Sequence, residues 1–327
     1  MSLPRCMGRT ALVRDEGNQA PIFADAMWRS GSTYLASRFA ATGRYMLFYE
    51  PCHEGVGRRP SAARDRDRSR DRKLRHPDLE GGYFGAYEQR DPLTRKTLSA
   101  LHAPDTSLRS VFNEGSDSAA AFYGALDRVA RAQGKVAFLG FCRSGTQTGR
   151  AQEALGARGL HLWRDPREQF ASYGWPDNDY FLTGTALQLG YSRQYGPLAR
   201  SLAPTLYAAA RMKLAALLPD RYARQQYRLA RSVAADLAVE QAYAVFYLSW
   251  LISYRAGATQ HVLSFSLTNL AEYADQRARV EEAFGIDFAD LRPTPSHVRP
   301  DIDYDSIEAE VTRRLDALTA RPVNADE

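Results

Sequence analysis

The chain of 327 residues is 44% hydrophobic and 25% charged, enough to fill the core of one large α/β domain or two smaller ones. Its formal charge of +5 misleads as a whole-chain property, because residues 58–75 alone carry nine Arg/Lys against three Asp and the rest is near neutral at −1. The basic character is local, which excludes reading the calculated pI of 9.1 as the mark of a nucleic-acid-binding fold.

The first residues, Met1 to Cys6, hold no apolar core of signal-peptide length. A strand is predicted over 21–27, and it empties into Trp28-Arg29-Ser30-Gly31-Ser32-Thr33-Tyr34-Leu35 and then a helix. That is the wiring of a phosphate cradle. Glycine permits a tight turn, the first helical amides lack internal partners, and the positive end of the helix dipole favours an anion. Arg29 adds a fixed positive charge, and Ser32 and Thr33 add hydroxyl donors. The nucleotide-triphosphate loop GxxxxGK[ST] is excluded, since its second glycine and its lysine are absent. A second strand at 45–49 ends in Glu50-Pro51. Beyond it, 55–100 reads as a charged, loop-rich insertion. Its Arg/Asp run at 58–75 has no apolar period, and is either a solvated or disordered loop or a recruiting patch for an anionic acceptor.

A helix with Phe122, Leu126 and Val129 on one face, stopped by Gly134, leads into a third strand at 135–141. This strand leaves through a second turn of similar kind, Cys142-Arg143-Ser144-Gly145-Thr146, with Arg150 shortly after. A fourth strand at 159–163 ends at Arg164. Pro166 can open a helix that carries Ser172 about two turns along, so that a guanidinium and a hydroxyl converge on one anionic group. Residues 175–258 form a mostly helical insertion broken by Pro197, Pro204 and Pro219. Ten of the 18 tyrosines fall between Tyr173 and Tyr254, as helix core or as an aromatic acceptor pocket. The apolar stretch 242–254 contains Ser249 and Ser253 and is too short to cross a bilayer. A fifth strand at 261–266 and an amphipathic helix bearing Ile307, Val311, Leu315 and Leu318 follow. Strands alternating with helices predict an α/β fold with a mainly parallel central sheet and helices on both faces, as a single domain over 1–327. Cys6, Cys52 and Cys142 are odd in number and widely spaced, which fits neither a disulfide framework nor a zinc site and points to a reducing compartment.

Three of these segments, in this order, carry a resemblance. They are the Arg29-Ser30-Gly31-Ser32 turn, the strand Tyr45-Met46-Leu47-Phe48-Tyr49-Glu50-Pro51, and Arg164 followed by Ser172. They resemble the motifs of sulfotransferases that use 3′-phosphoadenosine 5′-phosphosulfate, of the carbohydrate 6-O type and bacterial kinds. The resemblance covers residues 20–175 and, more loosely, 240–290. It implies a P-loop-like, three-layer fold with a helical acceptor-side insertion. It also implies that Arg29 holds the 5′-phosphate and bridging oxygen, with Ser30, Gly31, Ser32, Thr33 and Tyr34 completing the cradle. Arg164 and Ser172 would grip the 3′-phosphate. The family's glycine-rich closing loop is not evident, and Arg299, within Arg292–Arg299, is the substitute contact.

Sulfuryl transfer calls for a base at the acceptor, and Glu50 at the exit of a parallel strand is one candidate, His53 the other. Arg143 and Arg150 either hold the sulfonate or an acidic acceptor, or belong to ordinary helix capping. The acceptor implied is a hydroxyl, less readily an amine, of a carbohydrate or carbohydrate-containing small molecule. No metal, nucleic acid or transmembrane segment is expected, and since Golgi members of the family are membrane-anchored, a cytoplasmic enzyme is. Two alternatives stand beside this reading. One is a P-loop-type phosphotransferase with Asp165 as the Mg-binding candidate; the other is a non-enzymatic anion- or nucleic-acid-binding protein that uses the Arg-rich run.

Overall fold

The computed structural model describes residues 20–53, 56, 84–88, 92–102, 111–112, 117–143, 146–209, 223–261, 263–292 and 298–320. The run at 58–75, most of the insertion at 55–100, and Ser144 with Gly145 lie outside the described residues. The chain divides into two compact units. The first takes residues up to Arg164 together with Ser253–Pro295, and the second Asp165–Ile252 with Ser296–Glu327.

The first unit is a three-layer α/β fold around five parallel strands: β1 (Ile22–Ala26), β2 (Tyr45–Tyr49), β3 (Val136–Phe141), β4 (Arg158–Trp163) and β5 (Leu263–Ser266). All five fall where the apolar runs predict them. Their order across the sheet is β2-β3-β1-β4-β5, with Asp25 of β1 opposite Phe141 of β3 on one side and His161 of β4 on the other. β1 is buried along its whole length, as a central parallel strand covered on both faces must be.

Two helices on opposite faces fix the geometry of interest. Helix α1 (Ser32–Ala41) carries the chain from β1 to β2, and its Phe39 packs on Phe138, Tyr45 and Phe284. After α2 (Pro92–Leu101), α3 (Asp117–Arg131) packs Phe122 and Tyr123 into a cluster with Phe23, Phe48, Leu139 and Phe141 on the other face. α4 (Thr148–Leu155), between β3 and β4, lies beside α3. The connections thus run to opposite sides of β1. Such a switch point, outside the carboxyl ends of the strands, is where α/β folds bind ligands.

The second unit is helical, and its core is aromatic. Phe170 packs against Tyr173, Trp175, Tyr243 and Phe246, and Tyr173 against Phe181. Tyr173, Tyr243, Tyr207 and Tyr247 are buried, so these members of the tyrosine-rich stretch serve as core. Pro197 and Pro204 divide the helices by opening them, in Gly196–Leu202 and Pro204–Ala209, where a missing N–H costs nothing. Pro219 lies outside the described residues. The helix Tyr304–Thr319 is anchored by Arg167, whose Nε donates to Glu308 at 2.8 Å and whose Nη2 donates to Asp305 at 2.5 Å; the Tyr243 hydroxyl donates to Glu308 at 2.6 Å. Among the described residues no helix is long and apolar enough to cross a membrane.

Candidate functional site

β1 delivers the chain into the turn Met27 to Gly31, and α1 starts at Ser32. Arg29 has φ +68° and Gly31 φ +97°, with Ser30 between them outside the left-handed region. Such alternation of backbone hand turns successive amides toward one side and makes an anion-binding concavity. Gly31 is the N-cap, no side chain caps the helix, and no acidic residue stands in its first turn. The first amides have no acceptor within the helix, so their positive field is opposed by no nearby carboxylate of that turn. Glycine is required at position 31, both for its φ and because a Cβ there would run into the Leu267 side chain.

The hydroxyls of this turn do not point where the sequence assigns them. Ser30 Oγ donates to the Met27 carbonyl at 2.7 Å. Ser32 Oγ lies 2.8 Å from Tyr49 Oη and 3.1 Å from Cys142 Sγ, and Thr33 Oγ1 lies 3.1 Å from the same phenol. The Tyr34 hydroxyl donates to Asp290 at 2.6 Å, and Arg38 pairs with that carboxylate at 3.0 Å, which ties the outer side of α1 to the segment after the Ala274–Phe284 helix. Arg29 is half-buried at the apex of the turn, next to the first backbone amides of α1.

Adjacent strand exits add three side chains. Glu50, itself left-handed at φ +48°, accepts from Arg143 Nη2 at 2.6 Å and from Trp28 Nε1 at 3.2 Å. Arg143 also lies over the Trp28 ring, 5.2 Å from its centre, and only 4% of its side chain is exposed. Burial pushes the Glu50 carboxyl up, but Arg143, His53 and Trp28 together bring it below its ordinary range. Glu50 is therefore an ionised, occupied carboxylate and a weakened base. His53 is half-buried three residues on, its amide bonded to the Glu50 carbonyl at 2.8 Å and its ring 5.1 Å from that of Phe84.

Sequence reasoning groups Arg143 with Arg150, and the structure separates their roles. Arg143 is buried against Glu50, whereas Arg150 is exposed on α4 and lines an open groove of about 630 Å³ with Thr146, Gln152, Glu153 and Gln260. Arg164 ends the first unit at the β4 exit, half-buried, and Ser172 belongs to the second unit, where its hydroxyl donates to the Gln169 carbonyl at 2.7 Å. Asp165 accepts the amides of Arg167 and Glu168 as a helix cap. Arg299 is also in the second unit. It is held by both carboxylate oxygens of Asp301, at 3.1 and 2.6 Å, and donates to the Trp175 carbonyl at 3.1 Å.

Residues that sequence reasoning missed are Trp28, Tyr49 and a polar cluster beneath the cradle. In that cluster Thr148 Oγ1 donates to Asp25 Oδ2 at 2.5 Å, and His261 Nε2 lies 2.5 Å from the same oxygen. Beside them His161 Nδ1 pairs with Ser264 Oγ at 2.9 Å. Trp28 and Tyr49 sit inside the motifs and were legible as neighbours of Arg29 and Glu50. No local signal marks His261. Neither a protein-family model, nor a curated protein, nor a solved structure matches the chain in comparison.

Proposed function

We propose that the chain is a sulfotransferase, moving a sulfuryl group from 3′-phosphoadenosine 5′-phosphosulfate to a hydroxyl of a carbohydrate or carbohydrate-containing small molecule. The observation that carries this reading is the Arg29–Ser32 turn. It combines two left-handed residues, an uncapped helix start without acidic side chains and an arginine, all at the carboxyl end of the central strand beside the buried Arg143. Such a turn suits a phosphate ester, and the absence of a P-loop lysine suits a donor whose terminal group is a sulfonate.

In the transfer, the bond between sulfur and the bridging oxygen of the 5′-phosphate breaks as a bond from the acceptor oxygen to sulfur forms. The acceptor proton passes to a base, and the leaving 3′,5′-phosphoadenosine keeps the electron pair of the broken bond. Charge accumulates on that phosphate, against which Arg29 and the first amides of α1 act. His53 is the base in this reading, because the Glu50 carboxylate is already bonded to Arg143 and Trp28. Glu50 then holds Arg143, and Arg164 at the β4 exit is the first unit's contact for the 3′-phosphate. A cytoplasmic location belongs to the same reading, which the buried free thiols of Cys52 and Cys142 suit. The phosphotransferase alternative is disfavoured, since the Asp165 carboxylate caps a helix.

Calorimetric titration tests the donor. Wild type should bind 3′,5′-phosphoadenosine in preference to ADP, and Arg29→Ala should weaken that binding by roughly tenfold to a hundredfold, the worth of a charge-assisted contact. Preference for ADP, or wild-type affinity in the variant, would overturn the proposal. With the donor established, His53→Ala should cost about 100-fold in turnover at unchanged nucleotide affinity. The same phenotype in Glu50→Gln, with His53→Ala fully active, would return the base to Glu50.

A further inference from the structure

We propose that Tyr49 is the positioning residue of the cradle. Its phenol holds the first turn of α1 from beneath, so that the backbone amides, and not the hydroxyls of Ser32 and Thr33, meet the anion. The inference rests on the reading above only for the identity of that anion.

Within hydrogen-bond reach of the Tyr49 oxygen lie Cys142 Sγ at 2.8 Å, Ser32 Oγ at 2.8 Å and Thr33 Oγ1 at 3.1 Å. A phenol donates one proton and accepts two. The Cys142 thiol donates to it, so one of the hydroxyls must donate and the other accept. Ser32 Oγ also lies 3.1 Å from Cys142 Sγ. One assignment uses every proton. Thr33 and Cys142 donate to Tyr49, Tyr49 donates to Ser32, and Ser32 donates to the Cys142 sulfur. The result is a closed ring that joins the start of α1, the end of β2 and the exit of β3, with no hydroxyl proton left for a ligand.

Burial keeps the ring neutral, since it pushes the Cys142 thiol up to about 12 and the Tyr49 phenol well above its ordinary value. Space for the phenol is provided by Gly140 in β3, where a Cβ would come within 3.0 Å of the Tyr49 ring. The phenol is therefore seated by the sheet itself, two strands wide, and α1 is registered to it.

Tyr49→Phe keeps the aromatic packing and removes the hub. Hydrogen exchange of the nucleotide-free protein is read at the Leu35 amide, which closes the first turn onto the Gly31 carbonyl at 3.1 Å. The variant should exchange there roughly threefold to tenfold faster, and Cys142→Ser, which keeps a donor in place, should stay close to wild type. An unchanged Leu35 rate in Tyr49→Phe overturns the inference whatever the protein binds. Binding of 3′,5′-phosphoadenosine supplies the second arm. Tyr49→Phe and Ser32→Ala should each weaken it, and the double variant should lose no more than the worse single, because both act through one ring. Additive losses would make the Ser32 hydroxyl a ligand in its own right and sink the proposal. If wild type binds no 3′,5′-phosphoadenosine, the donor reading falls, and the exchange rates alone decide the role of Tyr49.

Discussion

Two turns leave neighbouring strands with nearly the same sequence, Arg29-Ser30-Gly31-Ser32 after β1 and Arg143-Ser144-Gly145-Thr146 after β3, and they do different work. In the first, the helix begins directly after the left-handed glycine, and its opening amides line the turn. In the second, α4 begins only at Thr148, after a right-handed Gln147, and the Thr148 hydroxyl is spent on Asp25. Its arginine lies buried against Glu50 and Trp28. The proposed cradle is the first turn, and Arg143 of the second acts as a girder beside Glu50. The helix starts directly at the glycine of the first signature and only at Thr148 after the second, whose arginine is paired with Glu50.

Removing the girder should have the largest effect. Arg143→Ala leaves the Glu50 carboxylate buried beside Trp28 without its countercharge, and breaking such a pair costs about 3–5 kcal/mol. Urea unfolding should register that loss, whereas Arg29→Ala should shift nucleotide affinity and barely move the midpoint. Equal stability losses at the two arginines would erase the distinction drawn here.

Gly31→Ala addresses the cradle. The left-handed backbone alone costs a non-glycine residue about 1–2 kcal/mol, and the collision with Leu267 adds to it. Stability and affinity for 3′,5′-phosphoadenosine should both fall, measured by unfolding and calorimetry. A variant of wild-type stability would mean that the turn accommodates a side chain, and the φ of +97° is not a requirement.

The remaining effect is a slope, small over any single pH unit. His161, beside the Asp25 cluster, is pushed down to about 3 by burial, with His261 lowering it further and Asp25 opposing. A histidine in the unfolded chain titrates near 6.5, so as pH falls below that value the unfolded state gains a proton that the folded state refuses. Stability contributed by the neutral ring is thus full above about pH 6.5 and is lost as pH falls toward 3, by up to about 1.4 kcal/mol per pH unit. His161→Gln should flatten the unfolding midpoint between pH 6.5 and 4. An undiminished slope would assign the acid sensitivity elsewhere.

How much of this was legible in the chain follows from the range of each interaction. The strands were, because apolar runs with sharp polar exits are local, and so was the tight turn into α1, because its glycine is needed for a backbone reason inside six residues. Sheet order was not, since parallel strands take their neighbours from the helices that cross between them. The direction of the Ser32 hydroxyl was also invisible. It is set by Tyr49, 17 positions away, and by Cys142, 110 positions away. Glu50 stood as a candidate base beside His53 for the same reason, its partner Arg143 being 93 positions distant. The pairing of Arg299 with Asp301, two residues along, was local and still not read from the chain.

The glycine at 140 has a consequence for anyone who would redesign this protein. Its missing side chain is occupied by the Tyr49 ring, at 3.0 Å from where a Cβ would stand, so the two positions behave as one compound site shared between strands. A side chain at 140 would crowd both the Tyr49 and Phe138 rings, and a smaller residue at 49 leaves a hole. Varying both together opens alternatives in which volume migrates from β2 to β3. Any such solution must also return a hydroxyl to the place where α1 begins.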